Sequence, residues 1–178
     1  MNNISGITRK LFASGASLCM ALVFTIIFVN SLRRYTVGQS VSWGEELPIY
    51  LTIYGVMFGS ALAYMQDRHI RFTILTDFLS SRQRRKLFAG VDLICAIVGF
   101  GLAVSGHAFA SRRGHMDASG LKSTGNWLAD STGIEALVWF AKLGTWQYAI
   151  MAGGLMIMVA ALVKFFERIS QSNEVAPA

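Results

Sequence analysis

Residues 87–110 read LFAGVDLICAIVGFGLAVSGHAFA, an apolar run with a single carboxylate and a single histidine. A helix that crosses the hydrocarbon core of a bilayer needs about 20 consecutive apolar residues, and this run supplies them. Three comparable runs lie at residues 11–31, 47–65 and 143–166. Backbone N–H and C=O groups inside lipid must be bonded within the protein, and none of these runs alternates as a barrel strand does. We therefore expect an all-α polytopic membrane protein with four transmembrane helices.

The composition of the 178-residue chain is that of a membrane protein, with 53% hydrophobic residues, 15% charged residues and a mean hydropathy of +0.47. The segments outside the four runs are too short for a second folded domain, so we predict one four-helix domain over residues 1–178. The net charge of +6 does not indicate a nucleic-acid partner, because the basic residues flank the apolar runs. This pattern favours membrane phospholipid headgroups as partners.

The distribution of basic residues predicts the orientation in the membrane. With four spans, both termini lie on the same side as the central loop, and that side carries most of the 16 Lys and Arg residues. The positive-inside rule places this side in the cytoplasm. The central loop also predicts a short basic helix in the membrane interface between helices 2 and 3, with a solvated basic turn as the alternative. Its apolar residues are Phe72, Leu75, Phe78 and Leu79, and its basic residues are Arg82, Arg84, Arg85 and Lys86.

Few residues could carry chemistry. Asp92 and His107 are the clear ionisable residues within the spans, but 1.5 Å of rise per residue separates them by about 22 Å. The histidines His69, His107 and His115 lie at different depths, so no pair matches the axial ligands of a membrane haem. Both cysteines lie within spans, and phosphate-loop, nucleophile-elbow and zinc-protease motifs are absent from the sequence. We expect no catalytic residue, metal or cofactor. We interpret Asp92 as snorkelling towards the cytoplasmic surface, with a functional residue of the span as the alternative.

Small residues recur every four positions in three of the predicted helices, and such faces allow close helix packing in lipid. Packing within the four-helix bundle explains some of them, but so many small faces also indicate contacts with a partner subunit. They are Ala13, Ser17 and Ala21 in the first helix, Gly55, Gly59 and Ala63 in the second, and Gly99 and Ala103 in the third.

The most specific pattern, SWGEE at residues 42–46, precedes the second run. Ser42 and Glu45 have the spacing of a capping box, in which each side chain satisfies a free backbone N–H at the helix start. Trp43 is expected to anchor at headgroup level. Pro48 either kinks a helix that begins at Ser42 or is a first-turn residue of a helix that begins near residue 47.

The third loop, from about residue 111 to residue 142, is first rich in Gly, Ser and Thr and then becomes apolar over residues 134–141. Together with the fourth run this stretch is longer than one tilted span requires, so we predict a short surface helix before helix 4. An outer aromatic belt is expected from Trp127, Trp139, Trp146 and Tyr148.

Several short motifs in this order resemble the small membrane subunit of tripartite ATP-independent periplasmic (TRAP) transporters. They are Arg34-Tyr35, SWGEEL at residues 42–47, Gly59 and DRHIR at residues 67–71. The chain departs from the family pattern at Thr73, where an aspartate is common, and at Pro48.

The resemblance implies a noncatalytic protein of the bacterial or archaeal cytoplasmic membrane. Its implied partners are a large TRAP membrane subunit, which moves an organic anion with sodium ions by an elevator-like movement, and a periplasmic substrate-binding protein that delivers the anion. The alternative is an autonomous tetraspan protein, such as a redox membrane anchor or a small channel.

The resemblance also suggests which residues to test. We hypothesise that Trp43, Glu45 and Glu46 fix the outer end of helix 2 against helix 1 or the large subunit, with Arg33 or Arg34 as partner; the alternative is a helix cap without a partner contact. The full set of candidate interface residues is Arg33, Arg34, Tyr35, Trp43, Glu45, Glu46, Gly55, Gly59 and His69. Candidate residues for docking the binding protein are Arg112, Arg113 and Lys122.

Overall fold

The computed structural model describes residues 2–67 and 79–173, which are largely helical and form no β-strand. The elements are α1 (Asn2–Val37), α2 (Trp43–Met65), α3 (Ser81–Arg113), α4 (Lys122–Thr132), a 3₁₀ helix (Glu135–Ala141) and α5 (Leu143–Asn173). Four of these helices, α1, α2, α3 and α5, are long and apolar enough to cross a membrane. The prediction of an all-α, multi-pass membrane protein is therefore confirmed.

The helices extend beyond the apolar runs that predicted them. α3 begins at Ser81, six positions before the run at residue 87, because Ser80 and Gln83 form a reciprocal capping box. The Ser80 hydroxyl accepts a hydrogen bond from the Gln83 N–H at 3.4 Å, and the Gln83 carbonyl oxygen accepts one from the Ser80 N–H at 3.1 Å. Residues 82 and 84–86, the four basic residues of the predicted interfacial helix, therefore belong to α3. Residues 68–78, which would form most of the predicted interfacial helix, lie outside the described residues.

The four long helices stand side by side in a row. α1 packs almost entirely on α2, α2 packs on α5, and α5 packs on α3. We call the end where α1 begins and α5 ends the base, and the end with residues 38–42 and 114–142 the loop end. This arrangement leaves α1 and α3 at opposite ends of the row, where each exposes a long apolar surface.

α1 and α2 contact each other through a face that the small-residue pattern did not identify in α1. Phe12 and Cys19 are buried, and a Cβ atom at Gly55 would lie 3.2 Å from the Cβ of Cys19. The small residues Ser17 and Ala21 are instead exposed. Gly55 is thus a packing glycine within the chain, whereas a Cβ atom at Gly59 would meet no described atom within 4 Å.

α3 and α5 approach until their backbones touch. A Cβ atom at Gly106 would lie 2.5 Å from the backbone nitrogen of Met151, and one at Gly154 would lie 2.5 Å from that of Ala103. Gly99 is equally restricted, by the backbone of Met158 at 2.8 Å. Small residues allow this close contact because no side chain separates the helix axes. The small face of the third helix therefore packs within the chain.

Candidate functional site

α2 begins at Trp43, but not through the predicted capping box. The Ser42 backbone is already helical (φ −57°, ψ −43°), and its side chain makes no capping hydrogen bond. A capping serine instead needs an extended backbone to aim its hydroxyl at the first turn, so this prediction was wrong. Glu45 accepts a hydrogen bond from the Ser40 hydroxyl at 2.9 Å. Pro48 lies buried inside α2, so the helix begins before the proline.

Glu46 connects α2 to the segment that follows α3. One carboxylate oxygen accepts the Tyr50 hydroxyl at 2.7 Å, and the other accepts the Gly120 N–H at 2.6 Å. The backbones are so close here that a Cβ atom at Gly120 would lie 2.7 Å from the Ser42 carbonyl oxygen. Charge-assisted hydrogen bonds of this length are about twice as strong as neutral ones. Glu46 therefore fixes the start of α2 against the loop between α3 and α4.

The arginines that follow the first span do not serve as partners of these glutamates. Within the described part of the chain, neither Arg33 nor Arg34 forms an ion pair with Glu45 or Glu46. Tyr35 is 89% exposed. The hypothesis of an intramolecular Arg–Glu pair at this position is therefore wrong, because the carboxylates bind hydroxyl and backbone donors.

Asn30 performs the connecting role that the hypothesis gave to the arginines. Its side-chain oxygen accepts the Val41 N–H at 2.8 Å, and a Cβ atom at Gly44 would lie 2.8 Å from its side chain. This amide therefore joins the last turns of α1 to the connection and to the start of α2. The available sequence signal was an uncharged polar residue near the end of an apolar run, which a search for ionisable residues does not find.

The segments at the loop end are held together by backbone hydrogen bonds and by stacked aromatic rings. The Ala118 N–H donates to the Ala141 carbonyl at 2.7 Å, and the Leu143 N–H donates to the Met116 carbonyl at 2.9 Å. The rings of Tyr50 and Trp146 stack 5.3 Å apart. The 3₁₀ helix at residues 135–141 lies where a short surface helix was predicted. α4 was not predicted, because its sequence KSTGNWLADST is rich in weak helix formers.

α4 lies over the groove between α1 and α2 on one side of the row and borders an open apolar pocket of about 300 Å³. Trp43 lines this pocket, so the indole ring faces other apolar side chains within the chain. The other lining residues are Leu22, Ile26, Leu47, Leu51, Leu121, Thr124, Gly125, Leu128, Phe140 and Trp146. Of the predicted belt, Trp127 and Trp139 are exposed, whereas Trp146 and Tyr148 are half-buried.

The three basic docking candidates are exposed at the loop end, in different surroundings. The Arg113 guanidinium lies 5.3 Å from the centre of the Phe109 ring. Lys122 forms an ion pair with Asp117 at 2.8 Å. The hydrogen bond and the charge of Lys122 lower the pKa of the Asp117 carboxyl, and Asp117 in turn raises the pKa of Lys122. Arg112 is exposed in the last turn of α3.

At the base, an ion cluster around one buried carboxylate joins three helices. Asp92 of α3 is only 2% exposed and accepts the Tyr64 hydroxyl of α2 at 2.7 Å and the Arg168 Nε of α5 at 2.6 Å. Arg168 also donates to Asp67 at 2.8 Å, and Lys164 binds the other oxygen of Asp67 at 2.8 Å. We call Tyr64, Asp67, Asp92, Lys164 and Arg168 the base cluster.

The base cluster corrects the interpretation of Asp92 as a snorkelling residue. A carboxylate that snorkels reaches water, whereas this one is buried and bound on both oxygens. In the sequence, Lys164 and Arg168 are basic residues that follow the fourth apolar run and contribute to the predicted orientation. They lie four positions apart near the end of α5, at the same end of the row as Asp92, and this shared depth was the signal that could have paired them.

The remaining candidates are the residues that could bind a metal and the two histidines His69 and His107. Among residues 2–67 and 79–173, no three His, Cys, Asp or Glu side chains gather in a way that could hold a metal ion. His107 is exposed, and its ring lies 5.9 Å from that of Tyr148. His69 lies outside the described residues.

Comparison with known proteins supports the sequence resemblance. The family described as "Tripartite ATP-independent periplasmic transporters, DctQ component" matches residues 23–171. The sialic acid TRAP transporter small permease protein SiaQ of Vibrio cholerae is 20% identical over 147 residues, which cover 83% of this chain and 75% of that protein. A putative TRAP transporter small permease protein of Haemophilus influenzae is 32% identical over 60 residues, or 34% of this chain and 37% of that protein. Since the family match extends over most of the chain, this protein belongs to the DctQ-component family and is a TRAP transporter small permease subunit.

Proposed function

We propose that the chain is a noncatalytic scaffold for the large membrane subunit of a TRAP transporter in a bacterial or archaeal cytoplasmic membrane. In this proposal the large subunit moves an organic anion together with sodium ions, and a periplasmic binding protein delivers the anion. The name of the V. cholerae relative, a sialic acid transporter subunit, supports an organic anion as the substrate. The base faces the cytoplasm and the loop end faces the periplasm.

The observation that carries this proposal is the exposed face of α1. α1 packs almost entirely on α2, so the opposite side of this long helix contacts no other described element closely. Ser17, Ala21, Phe24 and Phe28 lie along that side at helical spacing and are all exposed. Two small residues followed by two stacked rings, with centres 6.1 Å apart, form a shaped surface that suits close contact with another helix. We assign this face to the large subunit.

A scaffold must resist the movement of the subunit that it supports. Polar contacts between distant parts of the chain hold the helices together at both ends of the bundle, and we call these contacts the clamps. Glu46 binds α2 to the loop between α3 and α4 at one end, and Asp92 binds α3 to α2 and α5 at the other. Between the clamps, the α3 and α5 backbones touch at Gly106. These contacts support the proposed role of a rigid scaffold that stays in place while part of the large subunit moves.

The loop end supports a second contact, with the binding protein. Arg112 and Arg113 end α3 with exposed cationic side chains, whereas Lys122 is already paired with Asp117. We therefore propose Arg112 and Arg113 as the stronger docking residues. Replacing both with glutamate is expected to lower uptake and binding-protein affinity without disturbing co-purification of the large subunit. Unchanged uptake and affinity would exclude these residues.

The α1 assignment is tested by a matched pair of double variants. Ser17→Phe with Ala21→Phe fills the small part of the α1 face, whereas Ile94→Phe with Val98→Phe enlarges exposed residues of α3 at the other end of the row. We expect the first pair to abolish co-purification of a large polytopic subunit with the tagged chain, and the second pair to preserve it. The reverse result would contradict the assignment of α1.

A further inference from the structure

A second groove between α1 and α2 lies at the loop end, and its lining includes no residue of α4. Its volume is about 570 Å³. Arg34 lines it from α1, and Glu45 lines it from α2. The groove is thus bordered by one positive and one negative side chain at the level where both helices leave the apolar part of the span.

The two charges do not neutralise each other. No ion pair connects Arg34 with Glu45 in the described structure, and the guanidinium has no hydrogen-bond or ion-pair partner among the described residues. Glu45 accepts one hydroxyl, from Ser40. A ligand that carries both an anion and a cation would satisfy both walls of the groove, whereas a ligand with one charge would satisfy only one of them.

Further donors lie on the Arg34 side of the groove. The side-chain oxygen of Asn30 accepts the Val41 N–H at 2.8 Å, which fixes the orientation of the amide. The NH₂ group of Asn30 and the hydroxyl of Ser31 donate to no described residue, and both side chains line the groove. A guanidinium with neighbouring amide and hydroxyl donors is the chemistry that binds a phosphate group.

Apolar side chains continue from the charged rim towards the middle of the span. Ile27 is 49% exposed and Ile49 is 59% exposed, and both line the same groove. Ile53 and Val56 continue the exposed apolar surface along α2. The change from a zwitterionic rim to an apolar wall follows the change from headgroup to acyl chain in a phospholipid.

We propose that this groove binds one molecule of phosphatidylethanolamine. The phosphate lies against Arg34 with the Asn30 and Ser31 donors, the primary ammonium donates to Glu45, and an acyl chain packs along Ile27 and Ile49. A choline headgroup has no N–H to donate, and a glycerol headgroup has no cation, so Glu45 selects ethanolamine over both. The lining of this lipid site includes none of the four α1 residues assigned to the large subunit.

Lipid binding to the purified full chain in detergent tests the proposal, with phosphatidylethanolamine, phosphatidylcholine and phosphatidylglycerol of identical acyl chains titrated by native mass spectrometry. We expect the ethanolamine lipid to bind about tenfold more tightly than either other lipid, the effect of one charge-assisted hydrogen bond. Glu45→Gln should remove this preference, and Arg34→Gln should weaken binding of all three lipids. Arg33→Gln is the matched control, because Arg33 does not line the groove, and it should bind as the parent chain does.

Three results would overturn the proposal. They are equal binding of the three lipids to the parent chain, a preference that survives Glu45→Gln, and binding by Arg34→Gln that equals the control.

The titration is then repeated on the complex with the large subunit. Retention of the ethanolamine preference supports the proposal, whereas its loss would assign the groove to a protein contact. Neither result depends on transport activity, so the lipid site can fail while the transporter role stands.

Discussion

Replacing Asp92 with asparagine removes the charge at the centre of the base cluster while keeping the shape of the side chain. Asp92 is 2% exposed and accepts one hydrogen bond from Tyr64 and one from Arg168, at 2.7 and 2.6 Å. Breaking a buried ion pair costs about 3–5 kcal/mol when the remaining charge has no other partner. Arg168 keeps Asp67 at 2.8 Å, so we expect a smaller loss, about 2–3 kcal/mol in the free energy of unfolding.

Reversible unfolding of the purified chain in mixed micelles measures this loss. The matched control is Asp117→Asn, because Asp117 also forms a short ion pair, with Lys122 at 2.8 Å, but in solvent, where ion pairs contribute little. We expect no measurable loss in the free energy of global unfolding for the control, since this exposed pair acts only on local opening of the loop. A double variant, Asp92→Asn with Arg168→Gln, should lose less than the sum of the two single variants because they share one interaction. A loss at Asp92 no larger than the control, or full additivity, would refute the buried ion pair.

The other predictions concern packing, the loop end and pH. Gly106→Ala places a Cβ atom 2.5 Å from an α5 backbone nitrogen, so it should lower the unfolding midpoint, whereas Gly101→Ala in the same helix meets nothing within 4 Å and should not; equal midpoints would contradict the contact. Glu46→Gln should cost about 1–2 kcal/mol and speed amide exchange of the loop, and unchanged exchange would exclude the clamp. The pKa of Asp117 is lowered, so its pair with Lys122 stabilises the loop above the ordinary value of 3.8 and loses that contribution as the pH falls through the lowered pKa. Amides near residue 117 should therefore be more protected from exchange above the lowered pKa of Asp117 than below it. Asp117→Asn should abolish this difference in protection, and an identical pH profile in the variant would contradict the prediction.

The spans were predictable because their signal is local. An apolar run such as residues 87–110 specifies a membrane helix by its length and composition alone. The ends of the helices were less predictable, since polar residues continue a helix past the hydrocarbon core. α3 starts at Ser81 because of a capping box at Ser80, while the similar pattern at Ser42 does not cap because its backbone is helical.

The clamps were not predictable, because they join residues that are far apart in the chain. Arg168 and Asp92 are 76 positions apart, and the backbone donor bound to Glu46 is 74 positions away from it. Asp92 and Glu46 stand out in the sequence, but their spacing does not indicate their partners. The order of the helices supplies the partner of Asp92, by placing α5 beside α3, and the fold of the loop end supplies the partner of Glu46.

The central claim, that this chain supports a large transport subunit, is tested most directly by purifying the tagged full chain from its native host and measuring uptake with and without it. We expect a large polytopic membrane subunit to copurify and uptake of an organic anion to require the chain. Purification of the chain alone, together with solute or electron transfer by the chain in otherwise empty vesicles, would contradict the claim.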